Sequence, residues 1–368
     1  FESSGFDPPA PSDSDTDPDL HKYAILSSGG KDSLLSYGIL NETFEAHPVF
    51  VNEAGQHWYT AYNAYHFFDE HVPETVKVWC NSDRIFNWMV RQMPFIRKNY
   101  QDIKADIYPI RLWTVAVFLF GVLPVVRKRG IGNVVIGNEY DTTLKLNHHG
   151  ITHYAALYDQ SRYFDNAFTR FYRKKGWHIR QFSLLRSLSE LLILKILVKR
   201  YPDLQTLQVS CHSAHKADGK MAPCGQCEKC RRIVGMLSVL GEDPRRCGYA
   251  EDQIRQCLAS LATSSVKQLG SDAQHLYALL LEHGFVPDSA WTRQQAKRHP
   301  EIMCLRFDRQ RSLVEDLPET VRKPLFGILK QYADGAVEHR DGQWHPCALD
   351  DTMLSKPYII AATEHENK

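Results

Sequence analysis

Short apolar runs alternate with longer amphipathic stretches along the first two thirds of the chain. Residues 23–26 form an apolar run that ends at a Ser-Ser-Gly-Gly turn, and leucine and isoleucine follow at helical spacing. Similar apolar runs lie at residues 48–52, 76–80 and 133–137, with helix-like segments between them. Strands that alternate with helices predict a parallel sheet covered on both faces. We therefore expect an α/β fold with a doubly wound parallel sheet.

Other segments have helical patterns. Residues 112–126 are apolar, but this run is shorter than the roughly 20 residues that span a bilayer, so we expect a buried helix and no membrane contact. Residues 187–200 begin with Ser187 three residues before Glu190, which is the spacing of a capping box, and they end in basic residues. Beyond Gly241 the pattern is helical with few strand signals.

Changes in composition divide the chain into three parts. Residues 1–20 are rich in Ser, Asp and Pro, which is typical of a linker or a surface arm. Residues 21–240 hold the alternating pattern and the motifs described below, and residues 241–368 form a mainly helical C-terminal region. Lys and Arg total 44 against 43 Asp and Glu. This balance disfavours a protein that binds nucleic acid mainly through its phosphates.

The first motif with chemical content is a glycine loop between the first predicted strand and helix. Its residues are Ser28-Gly29-Gly30-Lys31-Asp32-Ser33. At such a junction backbone N–H groups and the helix dipole favour an anion, and glycines let a phosphate approach the main chain. Lys31 would add positive charge, and Asp32 suits a phosphate that arrives with Mg²⁺. The loop is not a Walker A motif, because Ile25 stands where the earlier glycine belongs. The alternative is a Gly-rich turn with a Ser/Asp helix cap and no ligand.

Four of the nine cysteines form a cysteine cluster within 20 residues, at Cys211, Cys224, Cys227 and Cys230. The last three recur every three residues, so a short turn can present them to one tetrahedral centre while Cys211 completes the set. Four sulfurs are typical of a structural zinc site that is closed to substrate. Iron–sulfur clusters also use such runs, and unligated thiols are the third alternative. Clustering favours a metal over disulfides and a reducing compartment, so we expect a cytoplasmic protein.

The glycine loop resembles the SGGxDS signature of the PP-loop ATP pyrophosphatase superfamily, whose fold is Rossmann-like. Enzymes of this superfamily split ATP between its α and β phosphates and usually leave AMP on a substrate oxygen. The resemblance implies ATP as cosubstrate, with Mg²⁺ bridging its phosphates. The residues implied as pyrophosphate ligands are Ser28, Gly29, Gly30, Asp32 and Ser33.

Several motifs together are similar to the cyanodeazaguanine synthase (QueC) branch of that superfamily. The branch has zinc clusters of the form Cys…Cys-Gly-x-Cys-x-x-Cys, as in residues 211–230. Four shorter elements are also similar, at residues 55–57, 108–111, 136–139 and 187–194. The resemblance implies that Arg111, Gly137 and Asn138 lie at the carboxyl rim of the sheet, where open parallel sheets bind ligands. Lys31, Asp32 and Arg111 are then the candidate catalytic residues, and Asn52, at the end of the second predicted strand, is a candidate for the adenine or ribose.

Departures from the branch leave the substrate open. Lys31 stands where the branch favours an aliphatic residue, Leu112 replaces an asparagine after Arg111, and residues 241–368 have no counterpart. The resemblance implies ATP, Mg²⁺ and Zn²⁺ as cofactors of an AMP-forming ligase. Such an enzyme would adenylate a carboxylate or amide oxygen of a small molecule or peptide and form an amide, a nitrile or a related product.

Three alternatives remain open. The UDP-muramoyl-dipeptide epimerase (MurL) family has a similar Gly-Gly-Lys-Asp-Ser loop and a strand that ends in Asn-Glu, as at residues 138–139, and it is thought to adenylate a glutamyl carboxylate before inverting its α-carbon. A tRNA- or protein-modifying enzyme would fit the superfamily, with residues 170–175 and 195–200 as basic stretches, although such stretches are usually solvated helix faces. A non-catalytic ATP-sensing module would bind a protein partner through residues 241–368.

Overall fold

A parallel sheet lies at the centre of the chain. The structure, a computed structural model, describes residues 17–53, 56–103, 114–211, 213–266, 268 and 270–360, without the side chains of residues 56 and 57. The strands are β1 (Asp19–Ser27), β2 (Glu45–Glu53), β3 (Val76–Cys80), β4 (Ile131–Val135), β5 (Lys145–His148), β6 (Ile151–Tyr154), β7 (Arg180–Phe182), β8 (His215–Ala217), β9 (Lys220–Ala222), β10 (Leu305–Phe307), β11 (Ala336–Arg340) and β12 (Gln343–Pro346). The helices are α1 (Lys31–Asn41), α2 (Gln56–His71), α3 (Ser82–Gln92), α4 (Thr114–Lys128), α5 (Arg162–Lys174), α6 (Glu190–Arg200), α7 (Pro202–Gln205), α8 (Glu228–Val239), α9 (Glu251–Leu261), α10 (Gly270–Glu282), α11 (Ala290–Gln295), α12 (Glu319–Leu329) and α13 (Asp351–Leu354).

The central sheet has five parallel strands in the order β3-β2-β1-β4-β7. The chain extends the sheet to one side of β1 through β2 and β3, and then to the other side through β4 and β7. Ligands of open α/β sheets bind outside the carboxyl ends of the strands at such a reversal. The predicted α/β class with a parallel sheet is confirmed, and β7 adds to the four strands that the apolar runs predicted.

The two faces of the sheet have separate cores. Tyr23 and Ile25 of β1 pack with α1, α2 and α6, whereas Ala24 packs with α4 and α5. Successive side chains of a strand point to opposite faces, so helices cover both sides of β1. This arrangement is the doubly wound architecture that the alternation of strands and helices predicted.

Helix α4 buries one side only. Leu119, Val122 and Val126 are buried, whereas 51% of Phe120 is exposed. The prediction of a buried helix therefore holds for the side that faces the sheet. Within the described parts of the chain, no helix combines the length and the apolar character that a membrane span requires.

Helix α6 begins later than the sequence predicted, and the prediction of a capping box formed by Ser187 and Glu190 is wrong. Ser189 is the N-cap residue; its Oγ accepts a hydrogen bond from the Leu192 N–H at 3.0 Å and donates one to the Ile302 carbonyl at 2.6 Å. The Ser187 hydroxyl is buried without a hydrogen-bond partner in the described part of the chain. The Glu190 side chain is thus not used as a cap.

The C-terminal region contains a second sheet that the sequence did not predict. Strands β10, β11 and β12 pair in that order, among helices α9 to α13. Leu305, Phe307 and Leu325 share a hydrophobic core with β1 and α1. The expectation of a mainly helical region missed this sheet because its strands have only three to five residues, too few to show a clear period of two.

Candidate functional site

The glycine loop lies at the carboxyl edge of the central sheet. Strand β1 ends at Ser27 and α1 begins at Lys31. Gly30 is the N-cap residue of α1, and it has no side chain that could accept hydrogen bonds from the first N–H groups of the helix. The first N–H groups of a helix have no partner within the helix. The amino end of α1 can therefore receive an anion, which the helix dipole favours.

Two glycines fix the loop against neighbouring backbone. Gly29 has a φ of +71°, and a Cβ there would lie 2.5 Å from the carbonyl oxygen of Thr60 on α2. A Cβ at Gly137, just after β4, would lie 2.7 Å from the Cβ of Asp32. Both distances are well below van der Waals contact, so neither position accepts a side chain without displacement. The loop is held from both sides by chain that is far away in sequence.

Hydroxyl groups complete the loop. The Ser33 hydroxyl donates to the Gly30 carbonyl at 3.1 Å, and the Ser27 hydroxyl donates to Ser33 Oγ at 3.2 Å. Ser27 Oγ also accepts a hydrogen bond from the Gly29 N–H at 3.4 Å. Ser27, which sequence reasoning did not single out, therefore connects both ends of the turn.

Lys31 is buried among three carboxylates. Its Nζ lies 2.9 Å from Asp32 Oδ1, 3.5 Å from Glu139 Oε2 and 3.2 Å from Glu190 Oε1, and its side chain is 7% exposed. Burial lowers the pKa of Lys31, but the three carboxylates outweigh burial and raise it above its ordinary value. Lys31 is therefore charged, and its charge is compensated by its neighbours before any ligand arrives.

The carboxylates around Lys31 differ in ionisation. Burial raises the pKa of Glu139 well above its ordinary value, although Lys31 opposes this. Burial also opposes ionisation of Glu190, but Lys31 and Arg232 lower its pKa to about 2. The pKa values of the two glutamates are thus shifted in opposite directions by the same buried surroundings. The Arg232 Nε lies 3.5 Å from Glu190 Oε1.

A cleft of about 380 Å³ opens in front of the glycine loop. Its apolar part is formed by residues of β1, β2 and the start of α4, namely Leu26, Val49, Val51, Val115 and Phe118. Its charged part is formed by Lys31, Asp32, Glu53, Glu190, Lys229 and Arg232. The apolar part of the lining suits a flat apolar group, and the charged part suits an anion with a cation.

Most of the predicted loop residues line this cleft. Ser28, Gly30, Lys31, Asp32, Ser33, Gly137 and Asn138 are on its wall, and Gly29 supports the wall from behind. Asn138 is buried, and its Nδ2 donates to Ser183 Oγ at 3.3 Å. Asn52 is not on the wall, because its neighbours Val51 and Glu53 in β2 point into the cleft. Arg111 lies outside the described residues, as does Gly55.

The cysteine cluster is assembled as its spacing predicted. The four sulfurs lie within 4.8 Å of one another, with separations of 3.7 Å (Cys211 to Cys227), 3.8 Å (Cys224 to Cys230) and 3.5 Å (Cys227 to Cys230). Cys211 and Cys230 are buried, and none of the four is in a disulfide. Hairpin β8–β9 lies between Cys211 and Cys224, and Cys227 is the N-cap of α8. The set forms a four-sulfur site that could hold a metal.

The cysteine cluster adjoins the cleft. Ser210, directly before Cys211, and Lys229, directly before Cys230, are on the cleft wall. A second link runs through α2, where the Asn63 side chain donates to the Met221 carbonyl and accepts from the Met221 N–H, each at 2.8 Å. The cluster and the glycine loop thus support two walls of one cleft.

Sequence reasoning missed Glu190, Lys229 and Arg232 as cleft residues. Glu190 was assigned to a cap, and basic residues beside a cysteine motif look like any solvated helix charge. The only sequence signal is the spacing of Lys229, Arg232 and Ile233, which places them on one face of α8. The cysteine cluster and α6 determine the direction in which that face of α8 points.

The C-terminal region closes the site from behind. Tyr140, two residues after Asn138, lies under the Arg306 guanidinium at 4.0 Å, and its hydroxyl donates to Asp308 Oδ2 at 3.3 Å. Gln268 Nε2 donates to Glu190 Oε2 at 2.6 Å. Residues 241–368, to which the sequence assigned no chemistry, therefore contact two elements of the site.

The basic stretch at residues 195–200 is occupied by ion pairs. Lys195 lies 3.3 Å from Asp334 and Lys199 lies 2.5 Å from Glu242. Arg200 donates two hydrogen bonds to the Glu42 carboxylate, both of 2.8 Å. These pairs reduce the positive charge that the stretch could offer to RNA.

Comparisons with known proteins return little. No protein-family model matches the sequence, and no curated protein matches it. Among solved structures, the chain is similar to the U34-tRNA thiolase NcsA from Methanococcus maripaludis with its 4Fe–4S cluster, at a TM-score of 0.29 and 14% sequence identity. That similarity covers 67% of this chain and 74% of the thiolase chain. The function proposed below therefore rests on the geometry of the site itself.

Proposed function

We propose that the protein is a PP-loop-type enzyme that cleaves ATP between its α and β phosphates and transfers AMP to a substrate oxygen. The observation that carries this proposal is the amino end of α1, whose N-cap residue Gly30 has no side chain to cap it and which opens on the cleft. Close packing holds this end in place, because a side chain at Gly29 would collide with Thr60 and one at Gly137 would collide with Asp32. A preformed set of N–H donors on a helix dipole is suited to a phosphate tail.

The rest of the cleft has the shape and polarity that ATP requires. Its volume of about 380 Å³ is within the range of roughly 300–1,000 Å³ for ligand pockets. The apolar part offers the half-buried side chains of Val51 and Phe118 to the adenine ring. Asp32 exposes 29% of its side chain in the cleft, so its oxygens could reach a cation on the phosphates while they remain near Lys31.

The proposed reaction joins an oxygen nucleophile to the α-phosphorus. A carboxylate oxygen of the substrate attacks, the bond from the α-phosphorus to the bridging oxygen breaks, and pyrophosphate leaves with that electron pair. The N–H groups of the loop bind the charge that develops on the leaving group. Mg²⁺, which Asp32 would hold, supplies charge neutralisation of the phosphates. Ammonia or an amine then attacks the acyl carbon, loses a proton and displaces AMP, which gives an amide. A nitrile would require a second ATP to adenylate the amide oxygen, followed by loss of that oxygen with AMP and of the nitrogen-bound protons.

The geometry of the cysteine cluster supports zinc as its metal. Four sulfurs around one ion at roughly 2.3 Å would lie about 3.8 Å apart. Three of the six separations are 3.5 to 3.8 Å, and all six are within 4.8 Å. A cubane cluster binds one cysteine on each of four irons and holds their sulfurs farther apart. With four protein ligands the metal has no open position, so we assign it a structural role.

The class of substrate is the finer part of the proposal. Lys229 lies on the cleft wall formed by α8, which supports an anionic acceptor such as a small-molecule or peptide carboxylate, as in the cyanodeazaguanine synthase branch. One observation favours the epimerase alternative: Glu139, an acid with a raised pKa, lies beside Lys31. Such a pair could exchange a proton at an α-carbon. The ion pairs at residues 195–200 weaken one of the two basic stretches on which a tRNA acceptor would depend. The stretch at residues 170–175 and a protein partner for residues 241–368 stay proposals.

The test is product analysis with ATP and Mg²⁺. We expect AMP and pyrophosphate, and we expect Asp32→Ala to lower their formation by about 100-fold or more, because a charge partner of the leaving group is lost. Asp288→Ala, which removes an exposed carboxylate of a surface ion pair, is the matched control. Unchanged AMP formation in folded Asp32→Ala would exclude the loop from the reaction, and release of ADP would contradict cleavage at the α-phosphate.

A further inference from the structure

Glu190 connects the two charged walls of the cleft. It is the first residue of α6 and is 7% exposed. One carboxylate oxygen, Oε1, lies 3.2 Å from Lys31 Nζ and 3.5 Å from Arg232 Nε. The other, Oε2, accepts a hydrogen bond of 2.6 Å from Gln268 Nε2. Both oxygens are therefore engaged, and the carboxylate has a single orientation.

We propose that Glu190 is a positioning residue that holds Lys31 and Arg232 side by side, so that one cation from the glycine loop and one from α8, the helix that begins in the cysteine cluster, face the anionic tail of the bound nucleotide. This proposal rests on the proposed function and assigns roles to two residues, Glu190 and Arg232, that the nucleotide motif does not include.

The two cations need a carboxylate between them. Lys31 and Arg232 both approach the same oxygen atom, so their charges lie close together in a largely buried site. Two positive charges that approach the same oxygen atom repel each other strongly where water is excluded. A buried charge that loses its partner is destabilised and moves or loses its proton. Without Glu190, we therefore expect Lys31 and Arg232 to separate and the two walls to lose their alignment.

A role of Glu190 in α6 alone does not explain these contacts. An acidic residue in the first turn of a helix is favoured by the dipole, but Ser189 already caps α6 through the Leu192 N–H. The side chain of Glu190 instead reaches three residues in three other elements: the glycine loop, α8 and the segment before α10. Two of those three residues, Lys31 and Arg232, line the cleft.

The first test is Glu190→Gln, which keeps the size of the side chain and removes its charge. We expect calorimetry to show MgATP binding weakened by about 10- to 100-fold, the range for hydrogen bonds between charged groups. The metal content per chain should stay unchanged, because the cysteine cluster is intact. The matched control is Asp316→Asn, which removes the charge from the buried ion pair with Arg162 at 2.6 Å. That variant should lower the unfolding temperature and leave MgATP affinity unchanged.

The second test separates positioning from independent charge effects. We expect Arg232→Gln to weaken MgATP binding and Arg232→Lys to retain part of the affinity. The double variant Glu190→Gln/Arg232→Gln should bind MgATP no more weakly than whichever of its two single variants binds it more weakly. Groups that act as one unit are not additive. Because Arg232→Lys and Arg232→Gln differ in charge and keep Glu190 in place, this pair remains informative if Glu190→Gln does not fold.

The outcomes distinguish the two proposals. If the wild-type protein does not bind MgATP, the proposed function fails, and the positioning role fails with it. If the wild type binds and Glu190→Gln binds equally well, only the positioning role is overturned. Additive losses in the double variant, or equal losses for Arg232→Lys and Arg232→Gln, overturn it as well.

Discussion

The glycine loop and the cysteine cluster support the same cleft by different physical means. At the loop, Gly29 and Gly137 touch neighbouring backbone so closely that a single Cβ would collide. At the cluster, four thiols lie within 4.8 Å of one another, and only a shared ion would favour so close an approach of ionised sulfurs. Backbone stereochemistry fixes the first wall, whereas we propose that a metal bound by the four cysteines fixes the second. The two walls should therefore respond differently to substitution.

The largest expected effect is at the cluster. Cys227→Ser removes one of four ligands, and we expect the free energy of unfolding to fall by more than about 3 kcal/mol, because metal binding contributes directly to folding. Denaturant unfolding and metal analysis would measure it, with about one metal ion per wild-type chain. Cys304→Ser, which alters a buried thiol outside the cluster, is the control and should change stability much less. Wild-type stability in a metal-free Cys227→Ser protein would show that the second wall does not depend on its ion.

An intermediate effect is expected at the loop. Gly29→Ala adds a Cβ at a φ of +71° and 2.5 Å from the Thr60 carbonyl, whereas Gly130→Ala adds one at a φ of +61° with open space around it. The control should lose about 1 kcal/mol from the left-handed conformation alone. We expect Gly29→Ala to lose more stability, measured by urea unfolding, and to weaken MgATP binding, which the control should leave intact. Equal losses in the two variants would contradict a loop fixed by contact with α2.

The smallest effect concerns α6, which joins the two walls. Ser189→Ala removes the N-cap, and we expect a loss of about 1 kcal/mol or somewhat more. Ser187→Ala, which removes a hydroxyl without a partner in the described part of the chain, should be close to neutral. Thermal unfolding of the two variants compares them directly. A greater loss for Ser187→Ala would restore the capping box that the sequence predicted.

Local patterns were sufficient for the elements whose signal lies within a few residues. The apolar runs predicted β1 to β4, the glycine loop was recognised from six consecutive residues, and the cysteines from their spacing. Strand β7 was missed because three residues carry no period. The cap was misplaced by two residues because Ser187 and Ser189 both precede the helix, and only Ser189 has its Oγ near the Leu192 N–H.

Residues whose role depends on distant partners could not be predicted. Glu190 lies on a helix that begins far from both Lys31 and Arg232 in sequence, and only the packing of α6 between α1 and α8 brings the three together. Asn52 is the opposite case, in which the strand was predicted but the direction of the side chain was not. The end of β2 was identified correctly, but the alternation of side chains along the strand directs Val51 and Glu53 to the cleft and Asn52 elsewhere.

The two hydrogen bonds between Asn63 and Met221 have a mechanical consequence. Asn63 stands one turn along α2 from Thr60, whose carbonyl touches Gly29, and Met221 belongs to the hairpin that leads into Cys224. Helix α2 thus ties the glycine loop to the hairpin before Cys224 within a single helical turn. We therefore expect the spacing between these two walls of the cleft to be set by one short rigid element.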